Sequence, residues 1–324
     1  MLNKNVIKVS SIWLHNLHES IIFLIFKNIT KKKIILSKPK DADVLFVGPY
    51  NSGSILEKTI NKIKKNSYID RLFPNLDLLN FNRKYKPIKI FFSMEGYLHN
   101  YDFEDNFHIT TLLGINNKRH LRWPIWKDFI DWSKEGFFRD KDSLNGLRFG
   151  LLYDIEKLRR PQGNKFIKKD KKVCFISSHL KFPRNIFYKK LKDIIHTDGY
   201  GPIFNKKIKN HNLSNFKKID ILKNYRFNLC PHNFLIPGYY DEKIPDAFYS
   251  QTLPITWCDH NVEEDFNSNS FINLNNYFNK DFGELDDVIN NENNLKKFSE
   301  EPLILNQLNL NEETKFINSI LELL

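Results

Sequence analysis

The sequence predicts an α/β protein with two largely parallel sheets. Short runs of β-branched and aromatic residues alternate with amphipathic stretches, which is the pattern of successive βα units. The chain has 324 residues, enough for two domains of ordinary size. A polar segment at residues 158–172 has no clean period and contains Pro161 and Gly163, so we predict a linker there. The predicted domains are residues 1–160 and 161–324.

Each predicted strand is a short apolar run bounded by polar or turn residues. The first half has three such runs, at residues 6–9, 42–47 and 88–93, and the clearest helix among them spans residues 55–65. The strands of the second half are predicted at residues 172–177, 227–230, 254–257 and 270–274. The helices that separate them are predicted at residues 185–195, 215–223 and 243–250. A last amphipathic helix, residues 312–324, is predicted to close the second domain; a helix lying on a membrane is the alternative.

The charge balance favours anionic partners. Lysine and arginine number 50 against 38 aspartates and glutamates, a net charge of +12, which suits nucleic acid, a membrane surface or phosphorylated substrates. The basic runs at residues 31–33 and 168–172 contain few aromatic residues, which disfavours binding of single-stranded nucleic acid. The 12 glycines form no dense cluster, so a Walker or kinase phosphate loop is excluded.

Cysteine content and hydropathy predict the compartment. The three cysteines are scattered, which favours a reducing environment over a disulfide framework. The longest apolar run near the N-terminus, residues 21–26, is far shorter than the roughly 20 residues that span a bilayer. We therefore expect a soluble or peripheral protein.

Residues directly after the predicted strands are the candidate functional residues, because open parallel sheets bind ligands beyond the carboxyl ends of their strands. Arg184 begins a helix soon after the strand at 172–177, where a helix N-terminus and a guanidinium together attract phosphate. Glu242 and Lys243 begin the helix after the strand at 227–230, where a carboxylate can accept from ribose hydroxyls and an ammonium can neutralise phosphate. An ordinary surface arginine and an ordinary charged helix start are the alternatives.

A general base is predicted after the strand at residues 88–93. Glu95 follows that strand directly, which places its carboxylate well for taking a proton from a substrate. Three other carboxylates of the same loop compete for the role: Asp102, Glu104 and Asp105.

Two metal-binding patterns are minor alternatives. Two Cys-x-His pairs, Cys230 with His232 and Cys258 with His260, offer a four-ligand zinc set, although structural zinc sites usually have tighter spacing. Two Asp-x-Asp pairs resemble those of metal-dependent sugar transferases, but neither follows a predicted strand: Asp41 with Asp43, and Asp140 with Asp142. We expect no bound metal.

Several motifs together resemble one known family. The segment 225–277, with YRFNLCPHN, GYYDEKIPDAFYSQTLPITW and DFNSNSFINLNNY, resembles the donor-binding signature of the α-1,3/4-fucosyltransferases, glycosyltransferase family ten. FPRNIFYKKL (182–191) and DGYG (198–201) are similar to its arginine-bearing helix start and its turn. FFSMEG (91–96) and KRHLRWP (118–124) are similar to its acceptor-domain motifs. The chain departs from the family pattern at Met94, Gly96, His232 and Cys258.

The resemblance implies a GT-B fold, that is, two Rossmann-like domains with a cleft between them. The first domain then binds the acceptor and the second binds the donor GDP-fucose, with an inverting transfer that needs no metal or other cofactor. The implied catalytic residues are Glu95 and Glu242. The implied donor-binding residues are Arg184 and Lys243 at the diphosphate, with Tyr239, Asn233 and Glu242 at the nucleotide. Asp105 and Arg122 are implied to shape the acceptor site.

The expected activity is that of an α-1,3-fucosyltransferase acting on an N-acetylglucosamine-type residue of a surface glycan, in protein glycosylation or in lipopolysaccharide and O-antigen synthesis. The expected partners are the sugar nucleotide and a glycan acceptor, lipid-linked, with no nucleic acid. The expected location is the cytoplasm, peripheral on the inner face of a bacterial inner membrane. The alternatives are a transferase of the same fold with another sugar nucleotide, a non-catalytic glycan- or nucleotide-binding protein, and a nucleic-acid binder.

Overall fold

The computed structural model describes residues 5–12, 14, 17, 20–49, 87–95, 103, 106–135, 152–204, 215–278 and 282–324. The chain forms two compact units. The first contains Met1–Trp123, Trp132–Arg148 and Asn309–Leu324, and the second contains Pro124–Asp131 and Phe149–Leu308. The predicted helix at 55–65 lies outside the described residues, as do Gly96, Asp102, Glu104, Asp105, Asp140 and Asp142.

The described strands and α-helices alternate in the middle of the chain, between residues 155 and 256. The strands are β1 (Val6–Ile12), β2 (Lys33–Leu36), β3 (Val44–Val47), β4 (Ile88–Ser93), β5 (Phe107–Thr110), β6 (His120–Arg122), β7 (Val173–Ile176), β8 (Thr197–Tyr200), β9 (Phe227–Leu229), β10 (Leu253–Thr256) and β11 (Ile272–Asn273). The helices are α1 (Ile21–Thr30), α2 (Ile155–Leu158), α3 (Arg184–Ile194), α4 (Asn215–Leu222), α5 (Lys243–Tyr249), α6 (Asn275–Phe278), α7 (Gly283–Asn290), α8 (Glu292–Ser299) and α9 (Asn311–Leu321).

The first unit contains a parallel sheet in the order β2-β1-β3-β4-β5-β6. All four residues of β3 are buried, as expected for a strand covered on both faces. The sequence did not predict β5 and β6, because these short strands contain the polar residues His108, Thr110 and His120. The apolar run at residues 21–26 forms the buried beginning of α1. Within the described residues, every helix is too short or too polar to cross a membrane.

The C-terminal helix belongs to the first unit, whereas the sequence assigned it to the second domain. Helix α9 contacts α1 and β6, and Phe316 packs edge-on against Phe107 with ring centroids 5.5 Å apart. Its apolar stripe is buried there, including Ile317 and Ile320. The helical period correctly indicated a buried face, but periodicity does not identify the sheet that covers such a face.

The second unit contains a parallel sheet in the order β11-β10-β9-β7-β8. The chain leaves β7 toward β8 on one side and then returns to form β9 on the other side. Strands β7 and β9 therefore flank a topological switch point, the usual ligand position in open α/β sheets. The α/β class with two parallel sheets is confirmed.

Residues 158–172 are an ordered part of the second unit and do not form the predicted linker. Leu158 and Phe166 are fully buried, and Phe166 belongs to the hydrophobic core of this unit. The Leu158 carbonyl accepts hydrogen bonds from the backbone of Leu303 and Ile304 at 2.9 and 3.0 Å. The segment lacks a hydrophobic period because most of its backbone is neither helix nor strand. Its apolar side chains still anchor it to the core.

Candidate functional site

A pocket lies at the carboxyl ends of β7 and β9, beside the switch point. Ile176 and Leu229, the last residues of these two strands, line it together with several polar side chains. The polar lining residues used below are Arg184, Lys218, Lys243 and Asp246. The structure thus brings the two predicted phosphate-binding cations, Arg184 and Lys243, into one pocket.

Arg184, the first residue of α3, is held by the loops that follow β7 and β9. Its Nη1 donates to Ser177 Oγ at 2.9 Å and lies 3.2 Å from His179 Nε2, and its Nη2 donates to Asn233 Oδ1. The residue is 8% exposed. Burial lowers the pKa of the Arg184 guanidinium, and the nearby Asp241 carboxylate partly offsets this shift. The guanidinium is therefore fixed in position, which suits a group that binds an anion.

The DGYG segment (198–201) lies at the end of β8, next to Ser177, which binds Arg184. Its first three residues complete β8, and Gly201 follows with φ of +116°. A Cβ at Gly201 would lie 2.1 Å from the Ser177 carbonyl oxygen. Only glycine therefore allows the end of β8 to approach Ser177 so closely.

Lys243 is fixed by a buried carboxylate. Asp241 Oδ1 accepts from the Lys243 backbone N–H at 3.1 Å, and Asp241 Oδ2 pairs with Lys243 Nζ. The Nδ1 atom of the fully buried His232 lies 3.4 Å from Asp241 Oδ1. Burial by itself would raise the pKa of Asp241, but Lys243 and His232 hold that pKa well below its usual value. Asp241 therefore remains ionised and positions the ammonium.

Glu242 and Asp246 share one cation. Lys218 Nζ, on α4, donates to Glu242 Oε1 at 3.1 Å and lies 3.6 Å from Asp246 Oδ2. Glu242 precedes α5 and Asp246 lies within it, four residues later on the same helical face. The Glu242 side chain keeps part of its surface exposed, as a ribose-binding carboxylate requires.

The remaining predicted donor residues lie close to this group. Asn233 contacts Arg184, as described above. Tyr239 is buried, with its ring centroid 6.3 Å from that of His232 and 6.4 Å from that of Phe234. All five predicted donor residues therefore belong to the second unit.

The predicted acceptor residues belong to the first unit. Glu95 follows the end of β4, is partly exposed, and donates its backbone N–H to Ser93 Oγ at 3.3 Å. Ser93, Thr110 and Arg122 form one row across β4, β5 and β6, so Glu95 and Arg122 lie at the same edge of the sheet. Arg122 Nε donates to the Thr111 carbonyl at 3.1 Å.

The residues of the alternative zinc set are not gathered into a metal site. Cys230 and Cys258 are buried free thiols whose pKa values are raised by burial, and His260 is exposed. In the part of the chain that the structure describes, no three histidine, cysteine or acidic side chains form a group that could hold a metal ion. Asp43 precedes β3 and accepts from the Lys8 backbone N–H at 2.8 Å, as expected of a structural carboxylate.

Five residues of the site were not singled out from the sequence: Ser177, His179, Lys218, Asp241 and Asp246. Ser177 and His179 come soon after β7, so they could have been found from the sequence, because parallel sheets bind ligands beyond the carboxyl ends of their strands. Lys218 and Asp246 gave no such signal, because both lie within helices among many other charged residues.

Comparison with known proteins finds a family match within the second unit. Residues 166–300 match the family model described as glycosyltransferase family 10 (fucosyltransferase), C-terminal part. We call residues 166–300 the family 10 domain, after the model that they match. The resemblance found in the sequence is thereby confirmed, and the family 10 domain contains the whole pocket described above.

Relatives of the family 10 domain agree with this assignment. The chain is similar to the alpha-(1,3)-fucosyltransferase FucT of Helicobacter pylori, with 32% identity over 190 residues. The match covers 53% of this chain, and the chain spans 37% of the length of that relative.

Solved structures of alpha1,3-fucosyltransferase have a similar fold. One covers 98% of this chain and 90% of its own length, with a TM-score of 0.65 and 24% identity. A structure with GDP has the same coverage and TM-score at 22% identity. A structure with GDP-fucose covers 99% of this chain and 92% of its own length, with a TM-score of 0.64 and 22% identity. The fold is therefore that of GT-B fucosyltransferases.

Proposed function

We propose that this chain is an inverting α-1,3-fucosyltransferase that transfers fucose from GDP-fucose to a hydroxyl of an N-acetylglucosamine-type residue in a surface glycan. The main support for this proposal is that two fixed cations, Arg184 and Lys243, lie in one pocket at the switch point of the family 10 domain. The names of the similar proteins support the donor and the linkage.

The two cations stabilise the leaving group. When the bond between fucose C1 and the β-phosphate oxygen breaks, GDP leaves with an additional negative charge. Arg184 and Lys243 neutralise that charge in a pocket where Ser177, Asn233 and Asp241 already hold them in place. Groups that are positioned before the reaction need no reorganisation as charge develops, and such electrostatic stabilisation is usually the largest catalytic contribution.

The remaining proposed roles belong to the ribose-binding carboxylate and to the residues of the acceptor site. Lys218 engages Glu242 Oε1, which leaves Oε2 to accept from a ribose hydroxyl. Glu95 removes the proton from the acceptor hydroxyl while that oxygen attacks C1 from the face opposite to GDP, so the anomeric configuration inverts. Arg122 and Asp105 shape the acceptor site.

A donor panel tests the proposed activity. The purified chain is incubated with an N-acetyllactosamine acceptor and, separately, GDP-fucose, GDP-mannose or UDP-N-acetylglucosamine, and nucleotide release is measured. We expect release with GDP-fucose, and an α-linked fucose product by NMR. Turnover with another donor would support a different sugar transferase. GDP binding without turnover of any donor would support a non-catalytic binding protein.

We also propose that the acceptor is a lipid-linked lipopolysaccharide or O-antigen chain, presented at the cytoplasmic face of a bacterial inner membrane. The net charge of +12 supports binding to an anionic surface. Sedimentation with vesicles of anionic lipid, but not with neutral vesicles, is the expected result at low salt. Equal recovery in both pellets would contradict peripheral membrane binding, and sugar-nucleotide turnover would remain unaffected by that outcome.

A further inference from the structure

One oxygen of a carboxylate in the pocket has no hydrogen-bond partner among the described residues. The Asp246 side chain is only 3% exposed, and its Oδ1 is enclosed without a hydrogen-bond partner among the described residues. Its Oδ2 has Lys218 Nζ at 3.6 Å, which is an ion pair but too long for a hydrogen bond. Asp246 is one of the residues that line the pocket, and buried polar atoms are normally hydrogen-bonded, so its unpaired oxygen indicates a ligand with N–H or O–H donors.

The neighbours of Asp246 indicate which part of the ligand reaches it. The pocket also contains Arg184 and Lys243, the cations assigned to the diphosphate. Glu242, assigned to the ribose, lies on the same face of α5 as Asp246, and Lys218 bridges the two carboxylates. In a nucleoside diphosphate the base is attached to the ribose on the side away from the phosphates. The base is therefore the part that lies beside Asp246.

We propose that Asp246 selects guanine, accepting one hydrogen bond from N1–H and one from the N2 amino group. This inference rests on the proposed function and deepens it. Guanine presents two adjacent donors on one edge, which match the two oxygens of a carboxylate. Uracil presents a single N–H between two carbonyl oxygens, and one of these would face the carboxylate unfavourably. Asp246 is thus a specificity-determining residue for the donor nucleotide.

The burial of Asp246 is consistent with this role. Burial raises the pKa of its carboxyl well above the usual value, so the ionised group is poorly stabilised before a ligand binds. Two N–H donors would supply the missing stabilisation. Replacement by asparagine removes a poorly stabilised charge, so we expect Asp246→Asn to fold.

Binding of free nucleoside diphosphates to the full chain, measured by calorimetry, tests the inference. Wild type should bind GDP more tightly than inosine diphosphate, which lacks the amino group, and more tightly than UDP. Asp246→Asn should weaken GDP binding by roughly 10- to 150-fold, the usual loss for charge-assisted hydrogen bonds. It should also gain affinity for xanthosine diphosphate, because the asparagine amide donates to the carbonyl that xanthine has in place of the amino group. Asp220→Asn, an exposed change on neighbouring α4, is the matched control and should leave all affinities unchanged.

Each outcome decides the question. A gain in xanthosine diphosphate binding cannot arise from partial unfolding, so it would establish contact between Asp246 and the base. Unchanged GDP affinity in Asp246→Asn, or equal losses for GDP and UDP with no gain for xanthosine diphosphate, would overturn the inference and leave the proposed function standing. Absence of GDP binding by wild type would remove the proposed function and this inference with it.

Discussion

At the scale of single residues, two buried carboxylates of the family 10 domain have pKa values shifted in opposite directions. Asp241 has Lys243 and His232 beside it, and its pKa is held low. Asp246 is equally buried, its pKa is raised by that burial, and Lys218 is the one cation that the described residues place in an ion pair with it. The number and distance of nearby cations, and not burial alone, thus separate a structural carboxylate from one left available to a ligand.

Loss of Arg184 should weaken donor binding. Arg184→Ala removes the charge-assisted contacts that we propose this residue makes with the diphosphate, so we expect GDP affinity to fall by roughly 10- to 150-fold. Calorimetric titration with GDP measures the change. Lys181→Ala, an exposed change in the same loop, is the control and should bind GDP as wild type does. Equal affinity in the Arg184 variant would show that the guanidinium has only a structural role.

Asp241 should make the free energy of unfolding depend on pH. Its folded-state pKa lies below the unfolded value of about 3.9, so it stabilises the fold above that pH and loses the contribution as pH falls. Asp241→Asn should therefore lower the free energy of unfolding at pH 7 by about 1–3 kcal/mol and by less at pH 4. Urea unfolding at both pH values measures this. Asp246→Asn should show the opposite sign at pH 7, with unchanged or higher stability, since its folded-state pKa is raised.

At the scale of elements, the pocket depends on how closely strand ends and loops approach one another. The end of β8 contacts the Ser177 backbone, and Ser177 in turn holds the guanidinium of Arg184 at the start of α3. A change at the end of β8 can therefore displace Arg184, the residue that we propose binds the diphosphate.

Gly201→Ala should be destabilising for this reason. The backbone at Gly201 is strained for any other residue, and the added Cβ would collide with the Ser177 carbonyl. We expect a loss of about 1–3 kcal/mol in the free energy of unfolding, together with weaker GDP binding. Gly283→Ala is the matched control, because its Cβ would meet no atom within 4 Å and it lies at the start of α7. Equal effects of the two changes in thermal unfolding would refute the argument.

At the scale of the whole molecule, the predicted chemistry is divided between two units. Glu95 and Arg122 belong to the first, whereas the residues that we propose bind the diphosphate and the base belong to the family 10 domain. Changes in the first unit should therefore affect the rate of transfer without changing nucleotide affinity.

Glu95→Gln tests this division. The substitution preserves shape and removes basicity, so we expect kcat to fall by about 10²- to 10⁴-fold with nearly unchanged GDP affinity. Asp41→Asn, an exposed change in the same unit, is the control and should keep full activity; a large loss there would favour the Asp-x-Asp alternative. Normal kcat in the Glu95 variant would transfer the role of the base to Asp102, Glu104 or Asp105.

The sequence by itself determined the α/β class, the strands β4, β7, β9 and β10 to within two residues, and the resemblance to glycosyltransferase family ten. These depend on local apolar periodicity and on motifs that are continuous in the chain. It also indicated Arg184 and Lys243, because strand ends and helix starts are local signals. Only the tertiary structure decided that α9 joins the first unit, that residues 158–172 are part of a core, and that Lys218 links Glu242 to Asp246. Those contacts join residues distant in sequence, and an amphipathic face or a charged side chain does not specify its partner.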